Sequence, residues 1–169
     1  GGQTLLARAT ATLAALCDVV VVVAPADVAL PVPRAQRVDD PPGAAGPLAG
    51  LVAGLGSHAF DEALVLAVDL PLVTVGMLAA LRAERGHALL VLAAPHGIPQ
   101  PLAAWYAPAA LPPLAAALAA GERSPTRAVL VPTAERDPTI GLAMFQPIFR
   151  GVRALVYNSA EERAMIQAA

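Results

Sequence analysis

Lysine is absent from the 169 residues, and all eleven basic side chains are arginine. Set against thirteen acids, they leave a formal net charge of −2 and no basic cluster, which excludes a nucleic-acid module read from charge. Cysteine occurs once, at Cys17, so neither a disulfide framework nor a cysteine-built zinc site can form, and a cytoplasmic setting is expected. Charged residues make up 14%, well below the ~25% of an average soluble domain. Alanine takes many positions where Lys, Gln or Ser would be ordinary, a bias consistent with genomic GC pressure. It lifts mean hydropathy to +0.62 while adding little to burial. With 57% apolar residues and so small a net charge, intrinsic disorder is excluded.

Long apolar runs that would cross a membrane are also missing. The stretch from His96 to Ala120 carries no Asp, Glu or Arg, but it is interrupted by Pro99, Pro101, Pro108, Pro112 and Pro113. Ala63 to Leu81 contains Asp69 and Pro71, which fit a strand, a turn and a helix. The first residues lack the regions of a secretory signal. No Walker loop, G-x-G-x-x-G fingerprint or G-x-S-x-G elbow occurs, and His58, His87 and His96 have no metal-ligand spacing.

What is present is an alternation of helical and strand patterns. Thr4 to Leu16 repeats apolar residues near the helical period, and Asp18 to Ala24 is a β-branched run fit for a strand buried on both faces. A short strand is expected over Ala35 to Asp39, turn chemistry over Asp40 to Ala45 and a small-residue helix over Gly46 to Leu55. Apolar strands follow at Ala63 to Val68, Ala88 to Ala94 and Leu102 to Tyr106. Thr74 caps a helix running to about Arg85, and Pro108 to Ala120 forms a helix stopped by Gly121. Arg153 to Tyr157 reads as a last strand, and Ser159 opens a final helix. The pattern predicts an α/β domain, a largely parallel sheet covered on both faces, with ligands bound beyond the carboxyl ends of the strands.

Asp69, directly after an apolar strand, is suited to hold Mg²⁺ against a phosphate; the alternatives are a helix cap or a solvated loop acid. Asp39, Asp40 and Gly46-Pro47-Leu48-Ala49-Gly50 form a second candidate. There, glycines at a loop-to-helix junction allow either close ligand approach or tight packing. Gln100 precedes Trp105-Tyr106, which either line a pocket or sit in the core. Arg123 either meets a phosphate or is an exposed helix-end charge. Asn158 is first a helix entry and second a ligand contact. Cys17 is expected to be a buried structural thiol.

Taken in order, GGQTLLARATATLAALCDVVVVVA, DDPPGAAGPLAGLVAGL, ALVLAVDLPLV, IPQPLAAWYAPAALPPLAAALAAGERS and VYNSAEERAMIQ resemble the molybdenum cofactor guanylyltransferases, the MobA-type branch of the nucleotidyltransferase superfamily. The resemblance implies a three-layer α/β/α Rossmann-like fold and transfer of GMP from Mg-GTP to molybdopterin, with release of pyrophosphate. It implies Asp69 as the catalytic Mg²⁺ ligand, which also touches the GTP phosphates. Asp39 or Asp40, preferably Asp40, would contact the nucleotide, and Gly46 to Gly50 would frame the nucleotide or pterin side, with Gly46, Pro47 and Leu48 at the nucleotide. Gln100 and Asn158 would face the second substrate. Partners would be GTP and molybdopterin, with molybdoenzymes or cofactor-insertion proteins beyond them, and neither nucleic acid nor membrane.

The chain also departs from the family. An N-terminal strand and glycine-rich loop of the kind L-x-G-G-x-S-x-R-M-G-x-x-K, which supplies a lysine, have no counterpart, and Gly1-Gly2 resembles a later G-G-x-x-L. Residues 1–169 are therefore expected to form a single nucleotidyltransferase-like domain lacking a central strand and its phosphate loop, an incomplete view of a longer protein. Pro25 and Val156 stand where some members carry asparagine. Two other readings remain open: a related cytidylyl- or sugar-phosphate nucleotidyltransferase, and a non-catalytic relative that binds cofactor or a partner.

Overall fold

The computed structural model describes residues 2–28, 35–41 and 46–130. The expected strand at 153–157, the final helix and Asn158 lie outside them.

Each element begins where its sequence supplies a start signal. Helix α1 (Leu5–Ala14) opens at Thr4, whose hydroxyl accepts the Ala7 N–H at 3.2 Å. Strands β1 (Val21–Ala24) and β2 (Gln36–Asp39) pair in parallel, Val21 opposite Gln36 and Ala24 opposite Asp39. Helix α2 (Pro47–Gly56) has proline at its first position, where the missing N–H costs nothing. Strand β3 (Ala63–Leu66) leads through a turn to α3 (Val75–Ala83), capped by Thr74 onto the Met77 N–H at 3.3 Å. Strands β4 (Leu90–Ala93) and β5 (Gln100–Tyr106) follow, then α4 (Leu111–Ala119) and α5 (Pro125–Leu130). Among the described residues no helix is long and apolar enough to cross a membrane.

The sheet differs from the expected parallel arrangement at one strand. β5 lies between β3 and β4 and runs antiparallel to both, so β3 and β4 are parallel to each other through the α3 crossover. The cause is the β4–β5 connection. Only Ala94 to Pro99 joins them, too short for the crossover that a parallel pair needs. His96 (φ 53) and Gly97 (φ 77) both take left-handed backbone there and turn the chain back on itself.

Period-two alternation then builds two cores, one on each face. Leu90, Leu92, Ala104 and Tyr106 pack under Leu48, Leu51 and Leu55 of α2, Leu114 of α4 and Val129 of α5. Val91, Trp105, Leu64 and Leu66 face the other way, against Leu78 and Leu81 of α3 and against Leu13 and Leu16. The result is the helix–sheet–helix layering the sequence predicts. Trp105 and Tyr106 are both core residues. Tyr106 is fully buried, and its hydroxyl donates to the Pro101 carbonyl at 2.8 Å, so the polar tip is satisfied. Burial pushes its phenol well above the usual range.

Among the described residues no strand pairing joins the sheet of β1 to that of β3. An apolar cleft of about 730 Å³ lies there instead, lined by Val21 and Val23 of β1, Leu64 and Leu66 of β3, and Leu51 and Leu55 of α2.

Candidate active site

The relative direction of β1 and β3 decides which residues share an end of the sheet. Cys17 and Asp18, which precede β1, lie within electrostatic reach of Glu62, which precedes β3, and of Arg82 in α3. Both strands therefore start at the same end. Asp39 at the end of β2, Asp40 just after it, and Asp69 after β3 gather at the opposite end. Gln100 joins them, because β5 runs antiparallel to β3 and begins where β3 finishes; the Ala67 N–H donates to the Leu102 carbonyl at 2.8 Å.

Asp69 sits in the turn after β3. Leu70 N–H bonds back to the Ala67 carbonyl, and Pro71 cannot continue a ladder. The carboxylate is exposed and has no hydrogen bond or ion pair among the described residues. Its alternative role as a helix cap is filled by Thr74.

Asp39 and Asp40 have different surroundings. Asp39 Oδ1 receives the Arg37 Nε at 2.5 Å, and the same guanidinium donates to the Val28 carbonyl at 2.7 Å and to the Pro25 carbonyl. Asp39 thus belongs to a latch that ties the loop after β1 to β2. Asp40 instead lies against α2: its Oδ1 is 3.4 Å from where a Cβ on Gly50 would stand. Glycine at that position leaves the space that the carboxylate uses.

The start of α2 is more committed than its sequence suggests. Pro47 has no N–H, Leu48 N–H donates to the Arg123 carbonyl at 3.2 Å, and Ala49 N–H turns back to the Gly46 carbonyl at 3.1 Å. The Leu48 side chain is fully buried. Gly46 takes φ +93, and a Cβ there would stand 3.0 Å from both the Cβ and the carbonyl oxygen of Arg123. These amides are engaged within the protein, so the loop offers a ligand its shape and its Asp40 neighbour rather than an open set of N–H donors. Arg123 itself is exposed, its Nη1 turned onto the Leu118 and Glu122 carbonyls at the end of α4.

The other end of the sheet holds a cluster that sequence reading did not single out. Glu62 accepts the Trp105 Nε1–H at 3.0 Å, pairs with Arg82 and lies 3.6 Å from the Arg85 Nε. The Arg82 hydrogen bond holds its carboxyl below the usual range. The signal for it lay in the register: Glu62 shares a face with Leu64, and Leu64 stands opposite Trp105. Cys17 is half-buried beside this cluster, and burial pushes its thiol up, which makes it a poor nucleophile. Among the described residues, no group of three His, Cys, Asp or Glu side chains is arranged to hold a metal ion.

Residues 1–136 match the family model of the MobA-like NTP transferase domain. A Chloroflexus aggregans protein named "probable molybdenum cofactor guanylyltransferase" is 40% identical over 108 residues, covering 62% of this chain and 52% of its own length. The chain thus spans about half of that curated relative. Among solved structures, molybdopterin-guanine dinucleotide biosynthesis protein A from Archaeoglobus fulgidus is similar at 29% identity, with a TM-score of 0.49 over 56% of this chain and 48% of its own. A protein from Aquifex aeolicus VF5 superposes with a TM-score of 0.62 at 17% identity, covering 74% of this chain and 66% of its own, a likeness of fold alone.

Proposed function

Because this chain belongs to the MobA-like NTP transferase domain family, we propose that it serves the transfer of GMP from GTP to molybdopterin, giving the guanine dinucleotide form of the cofactor and pyrophosphate. The observation that carries the reading is the contrast within one strand end. Asp69 is exposed and uncommitted among the described residues, and it lies at the carboxyl end of β3, where α/β folds bind ligands. Asp40 lies at the same end, against the glycine-bounded start of α2.

In this reading the terminal phosphate of molybdopterin attacks the α-phosphorus of GTP. The bond from that phosphorus to the bridging oxygen breaks, and pyrophosphate leaves in line. Such a step asks for positioning and charge neutralisation more than for proton transfer. Asp40 orients the nucleotide, with Gly46 and Pro47 shaping the wall beside it, whereas Leu48, expected to frame the nucleotide too, is buried in the core and anchors that wall from behind. Gln100 is assigned to the acceptor, and the same role is proposed for Asn158, which lies outside the described residues. An exposed single carboxylate fits Mg²⁺, which commonly takes one or two protein carboxylates and completes its shell with phosphate oxygens and water. Held by Asp69, the ion would offset charge on the phosphate oxygens. The domain reading is part of the same proposal: residues 1–169 form one nucleotidyltransferase domain, with the cleft between β1 and β3 as the seat of a central strand. A cytoplasmic site of action and hand-over to molybdoenzymes accompany it.

Thermal-shift titration with GTP, CTP and ATP in the presence of Mg²⁺ tests the base and the reaction class. Selective stabilisation by GTP, together with pyrophosphate release when molybdopterin is added, is expected. A preference for CTP would move the assignment to a cytidylyltransferase. No shift with any nucleotide would leave a non-catalytic relative.

A further inference from the structure

The loop that opens α2 is held from outside, by a segment more than seventy positions later in the chain. Helix α4 ends at Gly121 (φ +94), where Gly121 N–H bonds the Leu118 carbonyl and Glu122 N–H the Ala117 carbonyl, each at 3.0 Å. This pair of bonds is the glycine-terminated helix stop in which orphan carbonyls are satisfied, and it fixes the direction in which the chain leaves. Glu122 then folds its own carboxylate over the next turn. Its Oε1 accepts the N–H of Arg123 and the N–H of Ser124, both at 2.7 Å. Both carboxylate oxygens also receive the Arg127 guanidinium, at 3.0 to 3.2 Å. Arg127 holds this carboxyl down to about 2, in keeping with so many donors.

The bracket ends on the backbone of Arg123, and that backbone is what the α2 loop rests on. The Arg123 carbonyl takes the Leu48 N–H, and Arg123 fills the space where Gly46 lacks a Cβ. Among the described residues Glu122 is the one side chain that bonds the Arg123 amide, so its carboxylate braces the turn that seats Gly46 and Leu48. The Arg123 guanidinium points back onto α4 and takes no part.

We propose that Glu122 is a positioning residue for the Gly46–Gly50 loop, acting through the main chain of Arg123. The inference rests on the functional reading above, since it assigns the loop to the nucleotide. Glu122 touches no substrate; it sets where the loop and its neighbour Asp40 stand.

Steady-state kinetics with GTP and amide hydrogen exchange at Leu48, on the full natural gene product, test it together. Glu122→Ala is expected to raise KM for GTP about tenfold with kcat changed less than about threefold, and to speed exchange of the Leu48 amide. Glu122→Gln, whose amide oxygen can still accept both backbone N–H groups, is expected to recover most of both losses. Arg123→Ala keeps the backbone and Cβ and is expected to change KM by less than about threefold. Unchanged exchange at Leu48 in Glu122→Ala overturns the bracket. Faster exchange with an unchanged KM overturns the positioning role. A larger KM effect from Arg123→Ala than from Glu122→Ala would mean that the guanidinium meets the nucleotide, and the proposal falls. A wild-type protein with no GTP turnover defeats the functional reading and the KM arm with it, while exchange at Leu48 still decides the bracket.

Discussion

Glu62 stands immediately before β3 and Asp69 just after it, and the two carboxylates live in opposite circumstances. Glu62 is surrounded by Trp105, Arg82 and Arg85, and its acidity is shifted by them. Asp69 is exposed, and no described residue bonds its oxygens. A carboxylate already saturated with donors is a fastener between elements: here it ties the start of β3 to α3 and β5. A carboxylate left without donors at the carboxyl end of a strand has its full capacity for a cation or a ligand. The same strand thus carries a structural acid and a candidate functional acid, distinguished by neighbours rather than by residue type.

The largest effect that would break this contrast is on turnover. Asp69→Ala is expected to lower GTP-dependent pyrophosphate release by at least about a hundredfold, with stability unchanged to within ~0.5 kcal/mol by thermal melting. Should the variant retain full turnover, or melt as readily as a Glu62 variant, the two acids would not differ in kind. Next in size is Glu62→Ala. It leaves the buried Trp105 Nε1–H without its acceptor and is expected to cost about 1–3 kcal/mol in denaturant unfolding, with KM for GTP unaltered.

The acid side of the comparison has a definite sign. Glu62 and Glu122 both titrate below the ordinary carboxylate value of 4.5 in the folded chain, Glu122 at about 2. Both contributions are therefore complete above that ordinary value and are lost as pH falls below about 4.5, that of Glu122 on the way down to about 2. Stability curves of Glu62→Gln and Glu122→Gln should be flatter than wild type across this interval; parallel curves would remove the linkage. The smallest effect separates the neighbouring acids. Asp39→Asn weakens an exposed ion pair worth less than about 1 kcal/mol and should leave KM near wild type, whereas Asp40→Asn should raise it severalfold. Equal KM effects would place Asp39 at the nucleotide as well.

Much of the fold was legible because apolar runs and caps are local signals. Ala63 to Val68 announces β3 by composition, Thr74 starts α3 as its position suggests, and Gly121 ends α4. The strand expected over 18–24 is observed from Val21, which stands opposite Gln36, while Val20 still accepts the Gln36 N–H at 2.8 Å. Direction was not legible: an apolar strand reads the same both ways, and β5 runs antiparallel because of the length of the Ala94–Pro99 connection. At the candidate site, Asp69 was visible as an acid after an apolar run. The tie between Arg37 and Asp39, the seat of Asp40 beside Gly50 and the capture of the Leu48 amide by Arg123 were not visible, since each depends on elements meeting in space. Helix α5 was missed because six residues carry too little periodicity to stand out.

The cleft between β1 and β3 also bears on how the molecule loosens. Five of the seven residues of β5 are buried, and both its edges are paired, whereas β2 is largely exposed and, among the described residues, β1 is paired on one side only. A sheet continuous in hydrogen bonds opens as one cooperative unit; a sheet interrupted by a cleft has two, each with its own opening free energy. Helix α2 packs against both β1 and β2, and a central strand seated in the cleft would join them to β3, β5 and β4 as one such unit. Asp39 and Asp40 stand on one side of that seat, and Asp69 and Gln100 on the other. The strand proposed to lie there would thus be the mechanical link between the two halves of the candidate site.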